Sequence, residues 1–179
     1  MGYRARWLAV KNADPAQVLR TIGLVQDSAS SEAIYDPGHY ALAMPGGWFV
    51  LIGDGGEFMD TVEEEHARSL SIGTESLHFS CDDTSMGALL EVFREGKVVW
   101  AVEYDGSNGP GTPMVTGTPP AVVGETIAKC QAAQHASGRK DVDHVYDAAA
   151  ELGQVLTGFR HDQTLGDGEH LPILVLRPA

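Results

Sequence analysis

The strongest constraint on the fold is an unbroken apolar run, Trp48–Ile52, that lies between two glycine-rich turns. A Pro-Gly-Gly turn precedes it at 45–47, and a Gly-Asp-Gly-Gly turn follows it at 53–56. A short apolar run that ends at turn residues on both sides is typical of a strand inside a packed core. The chain therefore builds at least one buried strand and needs other elements to cover it.

A second strand is indicated by strict alternation. Leu77, Phe79 and Cys81 alternate with polar neighbours, which is the period of a half-buried strand and places His78 on its polar side. Glu95-Gly96 is a turn that predicts a hairpin between two of the remaining strands. Those remaining strands are predicted at 3–10, 40–44, 89–94, 97–104 and 173–176.

Helix boundaries are marked by capping residues. Asp14-Pro15 predicts a helix start and Gly23 its end, with a loop at 26–38. A second helix is predicted with an apolar stripe from 58 to 70, a capping box that begins at Thr61, and an end at Gly73. Two more helices close the chain. The first runs from Pro119-Pro120 to about 136, with Val123, Ile127 and Cys130 inside, and the second runs from the cap Asp141 to Gly158.

These elements predict an α+β fold, with an antiparallel or mixed sheet and helices on one face. The first six elements have the order βαββαβ, which is the ferredoxin-like pattern, and a helix pair follows near the C-terminus. A length of 179 residues favours a single domain over 1–179. The Gly- and Pro-rich loop at 105–118 is where an internal boundary is expected if the chain has one.

The net charge of the chain indicates which classes of binding partner are favoured. The net charge is −13, and it is spread along the chain without a basic stripe. Nucleic acid and anionic membranes are therefore disfavoured, whereas a basic protein would be attracted. No export signal or long apolar segment is present, so a cytoplasmic location is expected, with Cys81 and Cys130 as reduced core thiols.

The chain carries no complete catalytic motif. It lacks the phosphate-binding loop, the dinucleotide-binding glycine pattern, the hydrolase nucleophile elbow and a Cys-x-x-Cys pair. Glu63-x-x-His66 and Asp141-x-x-His144 have the spacing of helix-borne metal ligands. A solvated helix face and a helix cap explain these pairs better. We therefore expect no metal and no cofactor.

Candidate binding residues fall in two groups near the C-terminus. Asp143, His144 and Asp147 set carboxylates beside an imidazole, an arrangement that shifts pKa values and suits acid–base chemistry. The polar face of a packed helix would have the same composition. After the helix end at Gly158, a second group follows, made up of Arg160, His161 and Asp162. A purely structural pairing of the arginine with a carboxylate is the alternative.

The segment 141–162, together with the strand of Trp100, resembles a sequence pattern of uncharacterised bacterial cytosolic proteins. The resemblance implies a bacterial, cytosolic protein and implies no particular activity.

Two hypotheses of function are open. The first is a non-enzymatic binding module, in its most concrete form an immunity or antitoxin-like protein that neutralises a basic bacterial protein by charge steering and blockade. The second is an enzyme or small-ligand binder of unfamiliar type, in which His144, Arg160 and His161 converge around a pocket. The two differ in whether these polar groups surround a cavity or pair with one another. The oligomeric state is left open.

Overall fold

The computed structural model describes residues 4–30, 37–107, 111–139, 142–163 and 171–179. None of the helices in these ranges is long and apolar enough to cross a membrane. The strands are β1 Arg4–Lys11, β2 Leu24–Ser30, β3 Gly38–Met44, β4 Trp48–Asp54, β5 Glu75–Asp82, β6 Gly87–Arg94, β7 Lys97–Asp105, β8 Met114–Gly117 and β9 Ile173–Pro178. The α-helices are α1 Pro15–Ile22, α2 Glu64–Leu70, α3 Ala121–Ser137 and α4 Ala148–Thr157, and a 3₁₀-helix spans Gly56–Thr61.

All nine strands belong to one sheet in the order β2-β9-β3-β4-β1-β5-β6-β7-β8. Every neighbouring pair is antiparallel. The fold is therefore α+β with a large antiparallel sheet, as the sequence predicts, and the sheet is larger than the predicted strands imply. The predicted strand of residues 48–52 is confirmed as β4, which pairs with β1 and β3 at the centre.

Both faces of the sheet are covered, so the prediction of helices on one face is wrong. Helices α3 and α4 pack on the face that contains Trp7, which we name the α3/α4 face, and they bury Val123 and Leu152 there. Helices α1 and α2 pack on the opposite face, the α1/α2 face, against Leu8 and Phe49. A central strand that is apolar on both sides exposes two hydrophobic surfaces, and each needs its own layer.

Residues 24–30 form a strand and not the start of a loop. This strand, β2, lies at one end of the sheet, and among the strands that the structure describes it pairs with β9 alone. Its Gln-Asp-Ser-Ala-Ser sequence has low strand propensity, so the pairing with a partner far along the chain decides its conformation. The rest of the predicted loop, residues 31–36, lies outside the described residues.

The predicted helix over 58–70 is divided in two. A 3₁₀-helix at Gly56–Thr61 ends before α2 begins, and Glu63, not Thr61, is the N-cap of α2. Glu63 and His66 form the capping box. The Thr61 hydroxyl donates instead to the carbonyl oxygen of Phe58, at 2.7 Å. The three-residue spacing of a capping box is therefore present twice in this stretch, and the structure uses the later one.

The last helix is shorter than predicted. It begins at Ala148, and its predicted cap, Asp141, lies outside the described residues. The Asp143 carboxylate accepts hydrogen bonds from the backbone N–H groups of Val145 and Tyr146, at 3.0 and 3.2 Å. This local bonding holds residues 144–147 in turns instead of a helix. The side chains of residues 143–147 therefore do not have the relative directions that the predicted helix would give them.

Other predictions are confirmed. Glu95 and Gly96 both have positive φ and join β6 to β7 as a two-residue hairpin turn. Both cysteines are free and buried, as the sequence predicts. All three tryptophans are also buried and lie on strands. One prediction differs from the structure: the stretch 105–118, predicted as a loop, contains strand β8, which pairs with β7 in the same sheet.

Candidate functional site

The 143–147 turn and the segment after α4 meet the ends of β5 and β7 on the α3/α4 face. We call the side chains that interact there the polar cluster. The cluster includes five of the six residues predicted from the sequence, and its members are Cys81, Asp83, Tyr104, Asp143, Tyr146, Asp147, Glu151, Arg160, His161 and Asp162. The sixth, His144, contributes its backbone N–H, which donates to the Gln134 side chain at 2.7 Å.

Arg160 is the most completely paired charge in the cluster. Its guanidinium donates from Nε to Asp162 Oδ1 at 2.6 Å and from Nη2 to Asp162 Oδ2 at 2.9 Å. Nη1 donates to Glu151 Oε1 at 2.9 Å, and Nη2 lies 3.5 Å from Asp147 Oδ1. The Arg160 side chain is 7% exposed. The arginine therefore has the structural pairing that the sequence left as an alternative.

The same contacts shift the pKa values of their partners. Partial burial works to raise the pKa of Asp162, but the hydrogen bonds and positive charge of Arg160 outweigh it and hold the pKa below its usual value. Burial raises the pKa of Asp147, and Arg160 offsets only part of that rise. The hydrogen bond with Asp162 raises the pKa of Arg160 further. The bidentate pair is thus charged over the whole neutral range.

Cys81, which is buried, and His161, which is partly buried, form a pair at the edge of the cluster. Cys81 Sγ lies 3.7 Å from His161 Nε2, and the His161 ring packs on Phe79 with 4.9 Å between ring centroids. The Tyr146 hydroxyl donates to Asp83 Oδ1 at 2.6 Å. Burial raises the pKa of the Cys81 thiol and lowers the pKa of the His161 imidazole. At neutral pH the pair is a thiol beside an uncharged ring, not the thiolate that acts as a nucleophile.

Tyr104 links the end of β7 to the 143–147 turn. Its hydroxyl donates to Asp143 Oδ2 and accepts from the Gly111 N–H at 3.1 Å. Burial, together with the bond to Asp143, raises the pKa of Tyr104 to about 12. At physiological pH the hydroxyl of Tyr104 is therefore uncharged, and its hydrogen bond to Asp143 connects β7 to the 143–147 turn.

Four members of the cluster, Cys81, Asp83, Tyr104 and Tyr146, have no direct signal in the sequence. Cys81 and Tyr104 stand at the ends of predicted strands, where polar contacts are common. Cys81 and His161 are 80 positions apart in the chain, so no local spacing connects them.

Next to the polar cluster, an open groove of about 1100 Å³ runs across the strand ends on the α1/α2 face. We call it the strand-end groove. Cys81 and Tyr104 belong both to its lining and to the polar cluster, so the two features adjoin. Its charged lining consists of five carboxylates and two guanidiniums: Asp54, Asp60, Asp82, Glu103 and Asp105, with Arg4 and Arg6.

Both arginines of the groove are already engaged. Arg4 Nε lies 2.8 Å from Asp82 Oδ2. Arg6 Nη1 donates to the carbonyl oxygen of Met59 at 3.1 Å and lies 3.8 Å from Asp60 Oδ1. The side chains of Glu103 and Asp105 are exposed at the β7 side of the groove. The groove therefore has an excess of negative charge, concentrated towards β7.

Two of the groove carboxylates, Asp82 and Asp105, have pKa values below the usual value for aspartate, which favours their charged form. Hydrogen bonds from Ser107 lower the pKa of Asp105. At Asp82, slight desolvation is outweighed by hydrogen bonds from Thr84 and by the Arg4 charge, and the pKa is lowered. Burial raises the pKa of Asp54, which lies at the opposite side of the groove.

The described residues contain no group of three or more His, Cys, Asp and Glu side chains that could hold a metal ion. The Glu63-x-x-His66 spacing serves the cap of α2, where the Glu63 N–H approaches His66 Nδ1 at 3.5 Å.

His78 is buried, although the alternation of its strand predicts a polar, exposed side. It is 5% exposed, and its Nδ1 lies 3.5 Å from Glu91 Oε2. The pair lies on the α1/α2 face, one row of residues inside the strand-end groove. Helix α2 contacts β5 there, so a face that alternation marks as polar is covered.

Comparison of the chain with protein-family models, with curated proteins and with solved structures gives no match.

Proposed function

We propose that this chain is a non-enzymatic protein-binding module whose strand-end groove receives a basic surface of another protein. The observation that carries the proposal is the charge of the groove. Five carboxylates line it, and the two arginines among them are engaged by neighbours. A net charge of −13 steers a cationic partner towards the chain, and the groove then selects the surface that fits.

The concrete form of the proposal is an immunity or antitoxin-like protein that neutralises a basic bacterial protein in the cytoplasm. Such a protein needs no chemistry of its own, because occupation of the partner's cleft is sufficient. The paired state of Arg160 supports this form. A guanidinium that is held by Asp162 and Glu151 ties the segment after α4 to that helix and is not free to bind a ligand.

The alternative is an enzyme or small-ligand binder built on the polar cluster. In its favour, Cys81 lines the groove and lies 3.7 Å from His161. Against it, burial moves both pKa values away from the ion pair that activates a thiol. The binding module accounts for more of the geometry.

A ferredoxin-like unit at the centre of the sheet is part of the proposal for the fold. It is supported by the order β5-β1-β4-β3 and by the position of α1 and α2 on one face of those strands. The added strands β2, β6, β7, β8 and β9 extend that unit on both sides.

The test is affinity isolation with the tagged chain from a lysate of the organism that encodes it. The retained proteins are washed first at about 0.1 M salt and then at about 1 M salt. The higher concentration shortens the Debye length from about 10 Å to about 3 Å and so weakens binding that depends on charge. The groove variant carries Glu103→Gln and Asp105→Asn. The matched control carries Glu65→Gln and Glu125→Gln, which remove the same charge from exposed positions on α2 and α3.

We expect one basic protein to be retained at low salt and released at high salt. The groove variant should weaken its binding about threefold to tenfold, since each surface charge pair is worth up to about 1 kcal/mol. The control pair should not. Equal effects of the two variant pairs, or retention of no basic protein, would contradict the proposal.

A further inference from the structure

The two edges of the sheet are protected very differently. The β2 edge has a bulge between Gln26 and Ser28, and it has Asp27 within the strand, 3.4 Å from Arg177. Bulges and charges are the devices by which proteins block further strand pairing. The β8 edge, Met114–Gly117, has neither. It carries no charge, and its pairing with β7 has no register shift, although its last residue, Gly117, has a φ of 75°. All four residues are exposed, and none of the described strands pairs with the outer side of β8.

The ladder with β7 fixes which backbone groups of β8 are open. The Thr118 N–H donates to the carbonyl oxygen of Val99, so Val99 and Thr118 form a hydrogen-bonded pair. Bonded and non-bonded pairs alternate along an antiparallel ladder. Val115, which is opposite Val102, therefore occupies a non-bonded position, and its N–H and C=O point away from β7 to the open edge.

Side-chain alternation places this edge next to the strand-end groove. Met114 is opposite Glu103, which is opposite Leu89, so these three side chains share the α1/α2 face. Glu103 and Leu89 line the groove, and Met114 lies beside them at its β8 side. Thr116 lies on the same face one pair further along. A strand added to β8 would place every second side chain beside Met114 and Thr116, about 4.8 Å further out. A lysine or arginine at those positions is long enough to reach the Glu103 carboxylate.

We propose that β8 is the place where an extended, basic segment of the partner adds to the sheet, with alternate Lys or Arg side chains turned towards Glu103 and the groove. This inference rests on the proposed function and specifies its binding mode, strand addition to an open sheet edge. Backbone hydrogen bonds from Val115 supply affinity, and the carboxylates of β7 supply the preference for basic residues.

A basic segment fits this edge better than a second copy of the chain does. Two copies joined along β8 would bring together two bodies that each have a net charge of −13. No basic side chain of β8 offsets that repulsion, because its sequence is Met-Val-Thr-Gly. Val115 and Met114, at 40% and 56% exposure, offer apolar contact to whichever strand binds.

The probe is a capped peptide of about eight residues in which Lys and Thr alternate, a length typical of one strand. Its control has the same composition with the residues in pairs, so that basic side chains no longer share one face. Binding is measured by fluorescence anisotropy, and the amide signals of Met114–Gly117 are followed by NMR.

Variants of the protein test the role of the β8 backbone. Val115→Pro removes the outward N–H without removing a bond to β7, and Val115→Thr is the matched control. Thr116→Lys is a second variant that keeps the whole backbone and puts a positive charge on the groove face.

We expect the alternating peptide to bind more tightly than its control and to shift the β8 amide signals. Val115→Pro should weaken binding about tenfold. Val115→Thr should leave binding unchanged, and Thr116→Lys should weaken it by repulsion. If Val115→Pro loses the native amide spectrum, the variant has not folded. The inference is then tested by the affinity of Thr116→Lys for the peptide and by the shifts of the β8 amide signals.

Three results would overturn the inference. The first is binding that the Glu103→Gln and Asp105→Asn pair weakens but that neither β8 variant changes, which would leave the groove proposal standing. The second is equal binding of both peptides without β8 shifts. The third is a dimer of the chain in analytical ultracentrifugation that Val115→Pro abolishes, which would assign the edge to a second copy.

Discussion

Arg160 and Asp162 are joined by two parallel hydrogen bonds, Nε to Oδ1 at 2.6 Å and Nη2 to Oδ2 at 2.9 Å, although only one residue separates them. The chain turns sharply after α4 so that the guanidinium lies inward, and the carboxylate follows it. Glu151 on α4 completes the arrangement with a bond of 2.9 Å to Nη1. This pairing fixes the segment after α4 against the helix.

Replacement of Arg160 by Met should destabilise the protein by about 2–3 kcal/mol. Loss of one partner of a fully buried ion pair costs about 3–5 kcal/mol, and the carboxylates here are partly exposed, which reduces the penalty. Arg160→Lys should recover only part of the loss, because an ammonium cannot make the bidentate bonds. Urea unfolding provides the measurement. The exposed Arg177–Asp27 pair is the control, and Arg177→Met should cost less than about 0.5 kcal/mol. Similar costs at the two positions would contradict this account.

Two helical glycines should respond to alanine in opposite directions. A Cβ at Gly153 in α4 would lie 2.7 Å from Cζ2 of Trp7, which is fully buried, so Gly153→Ala should cost about 1–3 kcal/mol. A Cβ at Gly124 in α3 meets nothing within 4 Å, so Gly124→Ala should stabilise by about 0.5–1 kcal/mol. Thermal unfolding of the two variants tests this prediction. A stabilising Gly153→Ala would mean that α4 does not pack this closely on β1.

The contribution of His161 to the free energy of unfolding should fall as the pH drops below about 6.5. Burial lowers the pKa of His161 from its ordinary value of 6.5. Below pH 6.5 the imidazole of His161 becomes protonated in the unfolded chain but stays neutral in the native protein, which favours unfolding. The stabilising contribution of the neutral native imidazole is therefore complete above pH 6.5 and is lost as the pH falls to the native pKa. His161→Gln should reduce the difference in unfolding free energy between about pH 7.5 and about pH 5.5. His39, whose pKa burial also lowers, should give the same sign in His39→Gln. Parallel pH curves for the wild type and His161→Gln would refute the assignment.

The two cysteines should react slowly in the native protein. Burial raises the pKa of both Cys81 and Cys130. Alkylation by iodoacetamide at neutral pH should therefore be at least about tenfold slower than at an exposed thiol introduced by Ser69→Cys, and it should become fast in denaturant. Peptide mapping separates the sites. Rapid alkylation of native Cys81 would instead support the enzyme alternative.

The sequence predicted local structure well where a single short-range signal dominates. The apolar run of β4, the turn at Glu95-Gly96 and the helix start at Asp14-Pro15 are all present as predicted. Each depends on residues within a few positions of one another, so each can be inferred from spacing alone. The Asp14 side chain accepts from the Ala16 N–H at 3.0 Å, as the cap predicts.

Predictions failed where a distant element decides the outcome. The alternation that marks His78 as exposed is real, but α2 and the strands around it bury that face. Strand β2 has no strand-like composition and exists because β9, which is about 150 positions away, pairs with it. The periodicity of a sequence shows that the two faces of a strand differ in polarity. It does not show whether one or both of those faces are covered by helices.

The sequence by itself determined the strands and helices that lie near strong turn and cap signals, the net charge of −13, and the grouping of Arg160, His161 and Asp162 after one helix end. Only the tertiary structure decided that His161 lies against Cys81, that Glu103 and Asp105 line a groove, and that β8 is the last of the described strands at its end of the sheet. The physical reason is that caps and turns are set by bonds between neighbours in the chain. Strand order, in contrast, is set by the burial of two faces of a sheet, to which every element contributes at once.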